Sequence, residues 1–131
     1  MGYTISQVAQ KFDLTTHTLR YYDKEGLLPF VERNKAGNRE FSDNNLDWLK
    51  RICCLKNTGM PIKQIKQYIE WCLQGDETLE IRRQMYLDHR KEVLKQIDDL
   101  TANLKIIDYK LEFYETVCNI PINGNKLSVE K

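Results

Sequence analysis

From Val93 to Cys118 the apolar positions Val93, Ile97, Leu100, Leu104, Ile107, Leu111, Tyr114 and Cys118 recur at alternating steps of four and three. That spacing is the heptad seam of a coiled coil, and it predicts one long helix opening near Asp76. A helix over residues 77–117 would be about 60 Å long at 1.5 Å per residue, more than a small domain can cover. The seam therefore needs a partner, and a second copy of the chain is the simplest one.

Ahead of it the pattern is shorter in range. Tyr3-Thr-Ile predicts an extended entry, Ser6 a helix cap, and residues 7–12 a helix with Val8, Ala9 and Phe12 turned inward. After a tight link at Asp13-Leu14, Thr15 as N-cap and Gly26 as a left-handed stop frame a second helix. On it Leu19 and Tyr22 share a packed face, while Thr16, Arg20 and Tyr21 point elsewhere. Two helices joined this closely, with the small Ala9 where they approach, form a helix-turn-helix pattern in which the second is the candidate recognition helix.

Leu27-Leu-Pro29 cannot continue that helix, and Asn34-Lys-Ala-Gly-Asn-Arg39 carries the turn formers of a hairpin between Val31 and Phe41. This hairpin reads as a wing bearing Arg33, Lys35 and Arg39. Ser42 then opens a helix to about Asn57, stopped by Gly59, with Leu46, Leu49, Ile52 and Cys53 inward. Pro61 opens another to about Leu73, before Gly75, striped by Ile62, Ile65, Ile69, Cys72 and Leu73. The expected fold is therefore all-α dominated. A winged helix-turn-helix domain with a small β wing spans residues 1–75, a long dimerisation helix 76–118 and a short tail 119–131.

Charge adds a bias to this picture. Residues 1–75 hold 11 Lys+Arg against 8 Asp+Glu, a net +3, and residues 76–131 hold 9 against 11, a net −2. The basic excess accompanies the candidate recognition helix, as a phosphate-facing module requires. No apolar run is long enough to cross a bilayer and the start lacks the order of a signal peptide, so a cytoplasmic protein with no membrane partner is expected. In a reduced cytosol the four cysteines are core atoms or reactive thiols. No Ser/His/Asp set, phosphate loop or paired carboxylates stand out, so neither an enzyme nor a cofactor is expected.

The run Thr18-Leu-Arg-Tyr-Tyr-Asp-Lys-Glu-Gly-Leu-Leu-Pro29, followed by Arg33, Gly37 and Asn38-Arg-Glu-Phe41, closely resembles the signature of the MerR family of bacterial transcription regulators. The order of elements extends the likeness along the chain, and the family's long helices pair as an antiparallel coiled coil. The resemblance implies that Arg20, Tyr21 and Tyr22 meet DNA from the recognition helix and Arg33 and Arg39 from the wing. Thr16, His17, Lys35 and Lys63 complete the candidate DNA-binding set. Asn38 stands where the family usually has an aromatic, and Pro61 where it has a Ser or Thr cap. The implied mechanism is activation of a promoter with an overlong spacer. The bound dimer kinks and untwists that spacer for RNA polymerase, with DNA deformation as the switch. Two-fold symmetry calls for an inverted-repeat operator.

The effector is read from the cysteines. Metal sensors of the family carry two cysteines around the end of the dimerisation helix, whereas Cys118 stands alone before Asn-Ile-Pro-Ile-Asn, and His17 and His89 are isolated, so no metal site is assigned. Drug sensors add a C-terminal domain for which residues 119–131 are too few. Cys53 and Cys54 point about 100° apart on a helix, and Cys54 lies near Lys50 and Arg51, cations that favour a thiolate. It also resembles the cysteine at this place in the AdhR and NmlR type of aldehyde and electrophile responders. Cys54 is thus the candidate sensor thiol and Cys118 the second, with a small residue filling the seam between the domain and the dimerisation helix the bland reading of Cys54. A metal-responsive regulator and an effector-independent architectural DNA-binding protein are the alternatives.

Overall fold

Reciprocal hydrogen bonds at two helix starts fix where the N-terminal half begins to coil. The computed structural model describes residues 2–119. Its elements are α1 (Ile5–Lys11), α2 (Thr16–Lys24), β1 (Glu32–Arg33), β2 (Arg39–Glu40), α3 (Asp43–Asn57), α4 (Ile62–Gln74), a 3-10 turn at Asp76–Thr78, and α5 (Leu79–Asn119). The cap of α1 is Thr4, not Ser6. The Thr4 hydroxyl accepts from the Gln7 amide at 3.1 Å, and the Gln7 side chain accepts from the Thr4 amide at 2.9 Å. Three residues after Ser6 stands Ala9, which cannot reciprocate, so the capping box forms two positions earlier than expected.

The turn between α1 and α2 places Asp13 at φ 56, a left-handed conformation that a short polar side chain tolerates, and returns the Leu14 amide to the Ala9 carbonyl at 2.8 Å. Thr15 caps α2, accepting from the Thr18 amide at 3.0 Å. Gly26 at φ 85 closes it, where a side chain would strain the backbone. Ser42 opens α3 by a second capping box with Asn45, whose buried amide also donates to the Phe30 carbonyl at 3.2 Å and so ties α3 to the chain before the wing.

These elements enclose one core in which Val8, Leu19, Leu27, Phe41, Leu49 and Ile65 have no accessible surface. Phe12, Cys53, Ile62 and Cys72 are half-buried and pack against this core, and Leu55 fills the inner face of α3 beside Cys53. One expected position differs: Leu73 is 65% exposed, while Tyr68 lies inside. At 100° per residue Leu73 sits about 80° round the helix from Ile65, at the margin of the stripe.

The long helix begins later than Asp76. The buried Thr78 hydroxyl is placed between the Trp71 and Gly75 carbonyls, and Arg82 donates to the Gly75 carbonyl at 2.9 Å and to the Thr78 hydroxyl at 3.0 Å. These bonds satisfy carbonyls that α4 leaves open at its end. Met85 is buried and the Tyr86 ring meets Tyr68 edge-on at 5.3 Å, so the N-terminal compact unit continues to Leu87. Burial, followed by its bond with Tyr86, pushes the Tyr68 phenol well above its ordinary range.

The second unit starts at Asp88 and carries the rest of α5. Along it Ile97, Leu100, Leu104, Ile107, Leu111 and Tyr114 are all exposed, Leu100 by 68%, and Val93 is half-buried. Of the expected tail, residues 120–131 lie outside the described residues. No helix among the described residues is long and apolar enough to cross a membrane.

Candidate nucleic-acid interface

The exposed side of α2 is assembled by the same turn that buries Leu19. Arg20 lies in solvent and its guanidinium donates to the Thr16 hydroxyl one turn back at 3.3 Å. Tyr21 and Tyr22 diverge as neighbours on a helix must: Tyr21 is 44% exposed and Tyr22 5%, their rings 6.2 Å apart and tilted by 50°. Burial, then the neighbouring Cys53 and Tyr21, raise the Tyr22 phenol above its ordinary value and keep it neutral. His17 is exposed on the first turn of α2, and Lys63 is exposed on the first turn of α4.

The wing pairs antiparallel, Glu32 opposite Glu40 and Arg33 opposite Arg39. Its tip is built by Asn34. The Asn34 side-chain oxygen accepts from the Ala36 and Asn38 amides at 2.9 and 3.1 Å, and the Asn34 amide donates to the Asn38 carbonyl at 2.8 Å. Gly37 supplies the left-handed residue at φ 85. Arg33 donates to the Gly37 carbonyl at 2.7 Å while staying exposed, and Lys35 is exposed at the tip. Phe41 anchors the base, exchanging backbone bonds with Tyr3 at 2.8 and 2.9 Å.

Arg39 is held differently. Its Nε and Nη2 donate to the two Asp23 carboxylate oxygens at 3.0 and 2.8 Å, and Nη1 donates to the Val31 carbonyl. Between α2 and the wing runs a groove of about 810 Å³ whose walls include Arg20, Lys24, Arg33, Asn34 and Asn38. Thus Arg20, Arg33 and the Arg39–Asp23 pair come together on one groove, Tyr21 and His17 present outward from α2, and Tyr22 packs behind them.

The cysteines fall into separate surroundings. Cys54 is exposed on α3, whereas burial, then the adjacent Cys54, pushes the half-buried Cys53 thiol up. The cationic setting expected at Cys54 is altered by Trp48: the Arg51 guanidinium lies 4.8 Å from the centre of that ring, which itself stacks on Phe30 at 5.2 Å. Cys72 is half-buried with its sulfur 3.8 Å from an Arg82 nitrogen, and Cys118 is exposed near the end of α5. Among the described residues no group of three or more His, Cys, Asp or Glu is arranged to hold a metal ion.

Three positioning residues escaped the reading of the sequence. Asn45 had a usable signal, since a polar residue three after Ser42 completes a capping box. Asp23 had none, because its partner lies on another element, and for Arg82 only the spacing of four to Thr78 was a signal.

Comparison with known proteins places this geometry. The profile described as MerR HTH family regulatory protein matches residues 3–71, and a second, described as MerR, DNA binding, matches residues 46–108. An HTH-type transcriptional regulator of Haemophilus influenzae is 46% identical over 115 residues, covering 88% of this chain and 85% of that one. The HTH-type transcriptional regulator AdhR of Bacillus subtilis is 36% identical over 91 residues, covering 70% of this chain and 65% of AdhR. The crystal structure of HiNmlR, a MerR family regulator lacking the sensor domain and bound to promoter DNA, superposes with a TM-score of 0.85 at 44% identity, covering 92% of this chain and 95% of that one. The chain belongs to the MerR family of helix-turn-helix regulatory proteins.

Proposed function

We propose that two copies of the chain form a homodimer that binds an inverted-repeat promoter duplex and regulates transcription by deforming it, with Cys54 as the thiol that receives the signal. In this reading residues 1–75 are the reader and residues 76–118 the dimerisation element. The observation that carries it is the pairing of exposed Arg20 and Lys24 on a capped α2 with exposed Arg33 on the wing, on either side of one groove, with Tyr21 and Lys35 exposed beside it. Cations spaced over a helix and a hairpin suit phosphates on both sides of a groove edge, and the helix face between them suits bases. Likeness to HiNmlR, whose structure contains promoter DNA, supports the reading.

The exposed seam from Ile97 to Tyr114 favours the homodimer, since an apolar heptad stripe in water is unfavourable until covered. Deformation of the spacer would then be the activating step, with RNA polymerase engaging the realigned promoter.

Cys54 is favoured over Cys53 because it is exposed, while burial disfavours the Cys53 thiolate. Addition of an aldehyde forms a bond from the Cys54 sulfur to the carbonyl carbon, opens the C=O π bond, and returns the thiol proton to the oxygen as a hemithioacetal. The place of Cys54 on α3, which resembles that of the cysteine in the family's aldehyde and electrophile responders, supports an aldehyde or related electrophile as the signal. The test is a Cys54→Ser chain expressed from its own locus. Aldehyde induction of the target promoter should be lost while operator affinity in vitro stays within about twofold of the parent, as expected for a surface substitution. Normal induction by the serine variant would remove Cys54 from the mechanism.

A further inference from the structure

The wing arginines are equivalent in the sequence and directly opposed in the hairpin, yet the structure gives them different work. Arg33 is exposed, with its Nη1 donating to the Gly37 carbonyl at 2.7 Å. Arg39 is turned inward. Its fork grips both oxygens of Asp23 at 2.8 and 3.0 Å, and the remaining terminal nitrogen donates to the Val31 carbonyl. Three of its five N–H groups are thereby committed, and the side chains of Arg39 and Asp23 are only 24% and 23% exposed.

Asp23 raises the question from the other side. A carboxylate one turn beyond Arg20 on a helix that faces phosphates repels the ligand unless its charge is taken up elsewhere. Arg39 takes it up. The pair also resolves the wing's own conflict, because two arginines directly across an antiparallel pair repel one another, and Asp23 neutralises one of them.

We propose that the Asp23–Arg39 fork is the positioning element of the interface. It joins α2, the segment at Val31 that leads into the wing, and β2, and so sets the span between the helix contacts and the wing contacts. Arg39 is a positioning residue, and phosphate neutralisation by the wing falls to Arg33 and Lys35. Bidentate geometry suits this task, since a planar fork on a carboxylate fixes direction as well as distance, which a lysine would not.

The inference rests on the DNA-binding reading, and the experiment separates the two. The full chain is titrated with a duplex recovered by the parent protein from a random pool, at a series of salt concentrations. Failure of the parent chain to recover any duplex would count against that reading itself. For Arg33→Gln the slope of log K against log salt should fall by about one, the signature of a lost phosphate contact. For Asp23→Asn and Arg39→Gln, binding should weaken by about tenfold with the parent's slope. The double variant should be no weaker than the weaker single one, because the two side chains act as a unit.

Arg39→Lys, which keeps the charge but not the fork, should behave like Arg39→Gln and not like the parent. A circular-dichroism melt of each variant confirms that it is folded at the temperature of titration, and Asp23→Asn, nearly isosteric, stands as the reporter should the arginine variants fail there. Three results would overturn the proposal: a slope reduced by about one in Arg39→Gln, tighter binding by Asp23→Asn as simple removal of a negative charge would give, or unchanged affinity in both.

Discussion

Replacing Phe41 with alanine should destabilise the N-terminal unit by about 3–5 kcal/mol, the range for removing a large buried aromatic. Phe41 has no accessible surface and is among the largest fully buried side chains of the core. It also sits where several elements meet. Its backbone pairs with Tyr3 ahead of α1, β2 immediately precedes it, and Ser42, the cap of α3, immediately follows. A cavity there removes dispersion contacts from all of these neighbours at once. Small domains have about 5–15 kcal/mol of stability in total, so the variant should approach the limit of folding at growth temperature. Urea titration followed by circular dichroism measures the change as a lower midpoint at similar slope. A loss below about 1 kcal/mol would show that Phe41 does not pack as described.

The second large effect concerns the other unit. A chain carrying Leu104→Glu and Ile107→Glu should sediment as a single 15.6 kDa chain at concentrations where the parent is a dimer. Each of these side chains is more than half exposed on α5, and a coiled-coil partner would bury both. Four carboxylates facing one another across a dimer seam are not tolerated. Operator affinity should fall by about 100- to 10,000-fold, since the second half-site is then no longer bound from within one complex. The thermal transition of the N-terminal unit should stay in place. A double variant that remains dimeric would mean that a different surface joins the two copies.

The parts of this fold that were legible in the sequence are those whose cause is local. Thr15, Gly26, Ser42, Pro61 and Gly75 stand at helix ends because the groups they satisfy or free lie within four residues, and the heptad stripe of α5 is visible because its period repeats. The candidate reader was legible for the same reason: the 100° step puts Leu19 inside and Arg20 outside. Ser6 and Thr4 both offer a cap to α1, and the Gln three residues after Thr4 marks Thr4 as the one that forms.

What the sequence does not display is the partner of a side chain on another element. Asp23 and Arg39 are 16 positions apart and meet only after the wing folds back on α2. The resemblance places both wing arginines at the DNA, and only the folded geometry separates the free one from the tethered one. Likewise helical spacing sets Lys50 and Arg51 one turn before Cys54, yet Trp48 offers the Arg51 cation a competing ring face. Spacing says which groups can meet, while the competition among them is settled by packing.

The most direct test of a two-fold DNA reader is selection of bound duplexes from a random pool by the unmodified chain, followed by measurement of how many chains each recovered duplex carries. The account predicts enrichment of an inverted repeat bound by two chains, with no recovery by the Leu104→Glu, Ile107→Glu variant under the same conditions. Recovery of unrelated sequences, or of a single half-site carrying one chain, would contradict it.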